Sequence, residues 1–309
     1  MTSPADNSCV TIPGPWEHRL IQANGAQFHI VHAGEHTSEK PLVILVHGFP
    51  QYWWAWRNQI AAIAAAGFEV IAIDRRGFGG SDKTPHSEDS LLLSQDLIAI
   101  VRSMGASRAV LVGHGRGGGL AWSAVSMAPQ LFSGLVTVSS PHPRTLHRFG
   151  AHITLKAWRH ALTSFITPLS QRGLTSVVAI ERLLQEWSAP KNRGASGQAE
   201  LYAQAMRLPR AASVALAQLR WTMLAQQSLT GRRYLRESAN PVHVPILAVR
   251  GDLDPLLPKR AWNKDGEFAH GRYERATIPD AGHFVPEEQP EAFTRRLLDF
   301  LNSLPAIEE

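Results

Sequence analysis

The sequence predicts an α/β fold whose central sheet is mostly parallel, and three observations carry that prediction. Short, uninterrupted apolar runs recur along the chain, as in PLVILV, FEVIAI, RAVLV, SGLVTV and VPILAV, the pattern of strands buried on both faces. Segments of helical apolar periodicity, several closed by glycine, alternate with these runs. A polar or glycine-rich turn follows strand after strand, and in an open α/β sheet that is the edge where ligands bind.

Taken in order, HRLIQANGAQFHIVHAG gives two extended runs around Asn24 and Gly25, a strong hairpin signal. PLVILVHGFP is a buried strand, and YWWAWRNQIAAIAAAG is a helix closed by Gly67. FEVIAIDRRGFGGSD repeats the pattern of strand and glycine-rich turn. SLLLSQDLIAIVRSMG is a helix closed by Gly105. RAVLVGHG is a strand, GGGLAWSAVSMAP a helix, and FSGLVTVSSPHP a strand that ends in prolines. Near the C-terminus, VPILAVRGDLDPLLP and YERATIPDAGHF are strands with polar turns, and QPEAFTRRLLDFLNSL is a closing helix.

The 309 residues suit one large domain, or a domain with an insertion. An apolar content of 44% and a charged content of 18% are those of a soluble globular protein. The opening MTSPADNSCV has neither a basic nor an apolar targeting region, so a cytoplasmic location is expected. The single cysteine, Cys9, excludes an intrachain disulfide framework and is expected to be an inert thiol in a frayed terminus.

The net charge of +5 is unevenly spread. Residues 144–236 hold 14 Lys and Arg against Glu181, Glu186 and Glu200. This stretch also interrupts the strand and helix alternation and reads as entirely helical. Leu146, Phe149, Ile153, Ala157, Ala161 and Phe165 recur at helical spacing, with Arg148, His152, Lys156, Arg159 and His160 between them, an amphipathic helix with a cationic face. QAELYAQAMRLPRAASVALAQLRWTMLAQQ gives two more helices, broken at Pro209. The predicted organisation is a core in residues 1–143 and 237–309, with a helical cap in residues 144–236.

HGFP at 47–50, DRRGFGGSD at 74–82, GHGRG at 113–117, GDLDP at 251–255 and AGHF at 281–284 stand in an order that resembles the α/β-hydrolase superfamily. Within it the chain looks most like the epoxide hydrolase and dehalogenase branch, over about residues 25–300. The resemblance implies that His283 is a general base, that Asp254 orients it, and that the backbone N–H groups of Phe49 and Arg116 form an oxyanion hole. A base needs a pKa near working pH, a buried carboxylate fixes its tautomer, and fixed backbone donors stabilise a developing oxyanion. The branch places an aspartate nucleophile at the strand-to-helix turn. This chain has Gly115 there, and glycine cannot form an ester. The branch also uses cap tyrosines as proton donors, whereas the matching stretch ALAQLRW shows Gln218 and Leu219.

Trp53, Trp54 and Tyr202 are candidate ligand-binding residues, with ordinary packing as the alternative for each; the resemblance to haloacid dehalogenases implies that Arg116 holds an anionic substrate, with a surface or supporting charge as its alternative. No metal or cofactor is expected. Two functions follow from the residues: a nucleophile-deficient, hydrolase-like protein that binds a small hydrophobic or anionic ligand, a lipid or a protein, or a hydrolase or lyase in which the His283–Asp254 pair activates water directly. The basic cap suggests peripheral contact with anionic membrane, and no nucleic-acid module is present.

Overall fold

The computed structural model describes residues 6–148, 167–256 and 262–307. The expected amphipathic helix with its cationic face falls largely outside them, at 149–166.

Eight strands make one sheet. They are β1 (Glu17–Ala23), β2 (Ala26–Ala33), β3 (Leu42–Val46), β4 (Val70–Ile73), β5 (Ala109–His114), β6 (Phe132–Val138), β7 (Ile246–Gly251) and β8 (Tyr273–Ile278). Their order is β1-β2-β4-β3-β5-β6-β7-β8. β2 pairs antiparallel with both β1 and β4, and all other pairs are parallel. The β1–β2 hairpin turns at Asn24 and Gly25, whose φ values of 45° and 71° are those a tight primed turn demands.

The helices are α1 (Arg57–Ala65), α2 (Ser90–Ser103), α3 (Arg116–Met127), α4 (Pro143–Arg148), α5 (Thr167–Leu174), α6 (Val177–Trp187), α7 (Ala199–Arg207), α8 (Ala211–Leu224), α9 (Leu229–Glu237), α10 (Val285–Glu288) and α11 (Pro290–Asn302). The sheet separates two apolar layers. Val43, Leu45, Val110 and Val112 face α1, α11 and part of the excursion between β6 and β7. Their neighbours Leu42, Ile44, Val46 and Leu111 face α2 and α3 on the other side. Successive residues of a strand point to opposite faces, so continuous apolar runs are what a sheet covered on both sides requires.

The helix expected from Tyr52 begins differently. Trp53–Trp56 forms a 3₁₀ turn, and the α-helix starts only at Arg57. The Trp53 N–H is taken by Asp74 Oδ1 at 2.8 Å, which holds this tight turn against the end of β4. Cys9 also departs from expectation. It lies half-buried in the 3₁₀ turn Asn7–Val10, packed against the core, and burial pushes its thiol pKa up.

The described part of the excursion between β6 and β7 is helical, as expected. The break at Pro209 separates α7 from α8, with Arg210 at φ 65° opening the second helix. Ile180, Leu184, Tyr202 and Met206 join the same apolar layer as the core strands. Several of its surface arginines face the few local acids, in the pairs Arg182–Glu186, Arg193–Glu181 and Arg233–Glu237. Among the described residues no helix is long and apolar enough to cross a membrane.

Candidate active site

The parallel strands deliver their turns to one edge of the sheet. β5 ends at His114, Gly115 makes the turn, and α3 starts at Arg116. Gly115 has φ 50° and ψ −118°, a conformation L side chains rarely adopt. Its N–H donates to Val138 O at 2.9 Å, which ties the turn to β6. The neighbouring glycine at 117 has a separate cause. A Cβ there would lie 2.3 Å from Val46 O, so the helix reaches the sheet this closely only without a side chain.

A Cβ built on Gly115 would meet His283 Nε2 at 3.3 Å and Gly48 Cα at 3.9 Å. The imidazole therefore aims at the place where a side chain at 115 would begin. His283 Nδ1 lies 3.1 Å from Asp254 Oδ2, and Asp254 Oδ1 accepts from the Leu256 N–H at 2.9 Å. Both side chains are buried. Burial pushes the Asp254 pKa up, but the charge and hydrogen bond of His283 and the Leu256 N–H outweigh it and hold the carboxyl below its usual range. An ionised Asp254 accepts the Nδ1–H of His283, and Nε2 faces Gly115. The two residues stand 29 apart in sequence, on the turns after β7 and β8, and the parallel pairing of those strands brings them together.

The backbone of His283 is fixed from both sides. Its N–H donates to Trp187 O at 2.9 Å, at the end of α6, and its carbonyl accepts from His114 Nε2 at 2.8 Å. Burial lowers the His114 pKa to about 3, so that ring is a neutral donor. Its Nδ1 lies 2.8 Å from Gln51 Oε1, and the Gln51 amide nitrogen donates to Glu287. Glu287 is buried and also accepts from Arg57 Nη1 and the Tyr202 hydroxyl, each at 2.7 Å. Glu288 accepts from the N–H groups of Gly282, Phe284 and Ala189 at 2.7–2.8 Å, which clamps the histidine loop to the segment after α6.

The predicted oxyanion donors lie on the two turns that flank Gly115. Phe49 follows Gly48 and precedes a cis bond to Pro50, and Arg116 is the first residue of α3, where helical N–H groups have no intrahelical partner. The Arg116 side chain leaves the turn: Nε donates to Gln218 Oε1 at 3.2 Å and Nη2 to Ser90 Oγ at 3.0 Å. Gln218 itself is buried. Its amide nitrogen donates to Arg76 O and Ser87 O, and its oxygen also accepts from Arg75 Nη1 at 2.8 Å.

Three expected ligand contacts are committed elsewhere. Trp53 is fully buried, gives its indole N–H to Val10 O at 2.7 Å, and stacks edge-on with Trp16 and His18. Trp54 donates to Gln198 Oε1 at 2.9 Å. Tyr202 is fully buried with its hydroxyl on Glu287, and burial holds its pKa well above 10. Each aromatic residue satisfies its polar atom inside the protein, as buried tryptophan and tyrosine require. The aromatic rings that do surround His283 are those of Trp187 and Phe284, with centroids at 5.7 and 5.4 Å. Sequence reasoning missed Gln51, Arg75, Trp187, Glu287 and Glu288. The adjacent acids of VPEEQP, next to AGHF in an apolar context, were the available signal.

The geometry amounts to a buried His283–Asp254 pair beside a strand-to-helix turn. Comparison with known proteins bears on the fold and the family. The family model for the α/β-hydrolase fold matches residues 41–290. Epoxide hydrolase 3 of Xenopus tropicalis is 28% identical over 95% of this chain and 80% of its own length. Epoxide hydrolase A of Mycobacterium tuberculosis is 29% identical over 93% of this chain and 97% of its own. Among solved structures, epoxide hydrolase A from Mycobacterium thermoresistibile superposes with a TM-score of 0.73 at 24% identity, over 94% of this chain and all of that one. The Vigna radiata enzyme VrEH1 gives 0.75 at 21% identity, over 94% of this chain and 98% of its own, and at such identities the likeness concerns the fold. The chain belongs to the α/β-hydrolase fold family.

Proposed function

We propose that this epoxide hydrolase-like chain is a degenerate hydrolase: it binds a small hydrophobic or anionic ligand above Gly115 and forms no ester with it. One observation carries the proposal. The position whose side chain would begin beside His283 Nε2 is a glycine. Covalent catalysis needs a nucleophile within hydrogen-bond reach of its base. Among the described residues, no carboxylate, hydroxyl or thiol is hydrogen-bonded to His283 Nε2.

The intact His283–Asp254 pair favours a second function, general-base activation of a water in a hydrolase or lyase reaction. Help of that sort is worth about 10²–10⁴-fold. Turnover of epoxides, haloacids and activated esters by this chain and by His283→Ala separates the two. A binding protein gives no turnover with either. Activity that disappears with His283→Ala overturns the binding-only function in favour of the second.

A further inference from the structure

Helix α9 turns Gly231 and Tyr234 inward, with the Tyr234 ring edge-on to Trp221 at 5.5 Å. Its outer stripe is Leu229, Arg232, Arg233 and Arg236, which share one helix face at i, i+3, i+4 and i+7, and all four are exposed. Leu229 is 79% exposed, more than any other large apolar side chain among the described residues. Leu224, at the end of α8, is 39% exposed. The two leucines flank one tight turn. A Cβ on Gly231 would lie 2.0 Å from Ala225 O, so the first turn of α9 sits directly on the 3₁₀ turn Ala225–Gln227. Arg232 Nη1 donates to Gln226 O at 3.4 Å across the same junction.

The charge along this stripe is one-sided. Residues 201–236 contain no Asp or Glu. Arg233 meets Glu237 at 2.6 Å, an exposed pair that holds little. Arg232 and Arg236 meet no carboxylate within ion-pair distance among the described residues. A single exposed leucine needs no explanation, but this one and its neighbour at 224 are bordered by guanidinium groups on long apolar stems. A hydrophilic acidic peptide answers the charge and offers no apolar phase to Leu229. An anionic bilayer offers both, with headgroup phosphates and carboxylates for the arginines and the acyl boundary just beneath for the leucines.

We propose that the outer face of α9, with Leu224 beside it, is a docking surface for an anionic lipid bilayer. Leu229 and Leu224 enter the boundary between headgroups and acyl chains, and Arg232, Arg233 and Arg236 lie among the headgroups. The contact is peripheral and reversible. Each arginine at such a surface strengthens binding about fivefold, and two leucines insert far less apolar surface than a myristoyl chain. Half-binding at about 1 mM accessible lipid follows at low salt. The surface needs nothing from the turn at Gly115.

The test is sedimentation of the full chain with vesicles of phosphatidylcholine containing about 30% phosphatidylserine, and with phosphatidylcholine alone, at about 20 mM salt. Binding to the anionic vesicles alone is expected, and it falls at least about tenfold at about 0.5 M salt, where screening is short-ranged. Leu229→Ser weakens it about five- to tenfold. Arg232→Gln combined with Arg236→Gln weakens it about 25-fold. All three side chains are exposed, so both variants keep the wild-type Tm. No sedimentation at about 5 mM anionic lipid, equal binding to the zwitterionic vesicles, or full binding retained by either variant overturns the proposal. Retention on heparin without vesicle binding also overturns it, in favour of a soluble polyanion.

Discussion

The glycines of GHGRGGG serve different physical ends, and alanine substitution separates them. At 115, an alanine would keep φ 50° and ψ −118° only under strain of about 1–3 kcal/mol. Its methyl would also sit 3.3 Å from His283 Nε2, so the ring must give by a few tenths of an ångström. For a chain of 309 residues, an unfolding entropy of about 2 cal/mol/K per residue converts this strain into a fall in Tm of about 2–5 °C. At 119 the position is helical, and a Cβ would meet Pro143 Cγ at 3.8 Å, an ordinary contact. Gly119→Ala therefore stabilises, by about 0.5–1 kcal/mol, because a mid-helix glycine loses more backbone freedom on folding. At 117 the new Cβ would be 2.3 Å from Val46 O, a backbone atom that cannot turn aside. Gly117→Ala is expected to lower stability by more than Gly115→Ala. Urea denaturation and scanning calorimetry should rank Gly119→Ala above wild type, wild type above Gly115→Ala, and Gly117→Ala as the least stable. A Gly115→Ala variant as stable as wild type would show that the turn is not strained, and the backbone reason for glycine there would be wrong.

Other expectations concern buried charge. Arg57→Met leaves Glu287 in the interior without its cation, at a loss of about 3–5 kcal/mol in urea unfolding at neutral pH. Burial raises the Glu287 pKa already, so protonation at low pH should shrink that loss. Asp265 is buried, and burial raises its pKa from 3.8 to about 7. Its folded pKa lies above its unfolded one, so the stability it contributes is complete below pH 3.8 and is lost as pH rises through about 7. Asp265→Asn, which can still accept the His142 N–H, should match wild type at pH 4 and exceed it by about 2–4 kcal/mol at pH 8. Equal stabilities at pH 8 would contradict that burial effect.

The sheet was legible because its strands are short apolar runs and its turns carry the punctuation. Asn24–Gly25 foretold a hairpin, and Pro209 foretold the break between α7 and α8. Asp254 and His283 could be paired from motif order, and parallel β7 and β8 bring them to 3.1 Å. Side-chain direction was not legible. Three tryptophans after HGFPQY look like a pocket wall, yet Trp53 turns to Val10 and Trp54 to Gln198, acceptors that the local sequence does not reveal. Cys9 looked like part of a loose end because the core it packs against is built from residues far along the chain. Gln218 looked like a lost tyrosine. In the fold it is the amide that joins α8 to Arg75, Arg76, Ser87 and Arg116, a role set by four long-range contacts.

The most direct measurement is the intact mass of the protein after incubation with styrene oxide and acid quenching. The wild-type chain is predicted to keep its mass. A wild-type chain that gains the mass of one epoxide, on a residue lying beside His283, would contradict the proposal that no side chain of this site attacks the ligand.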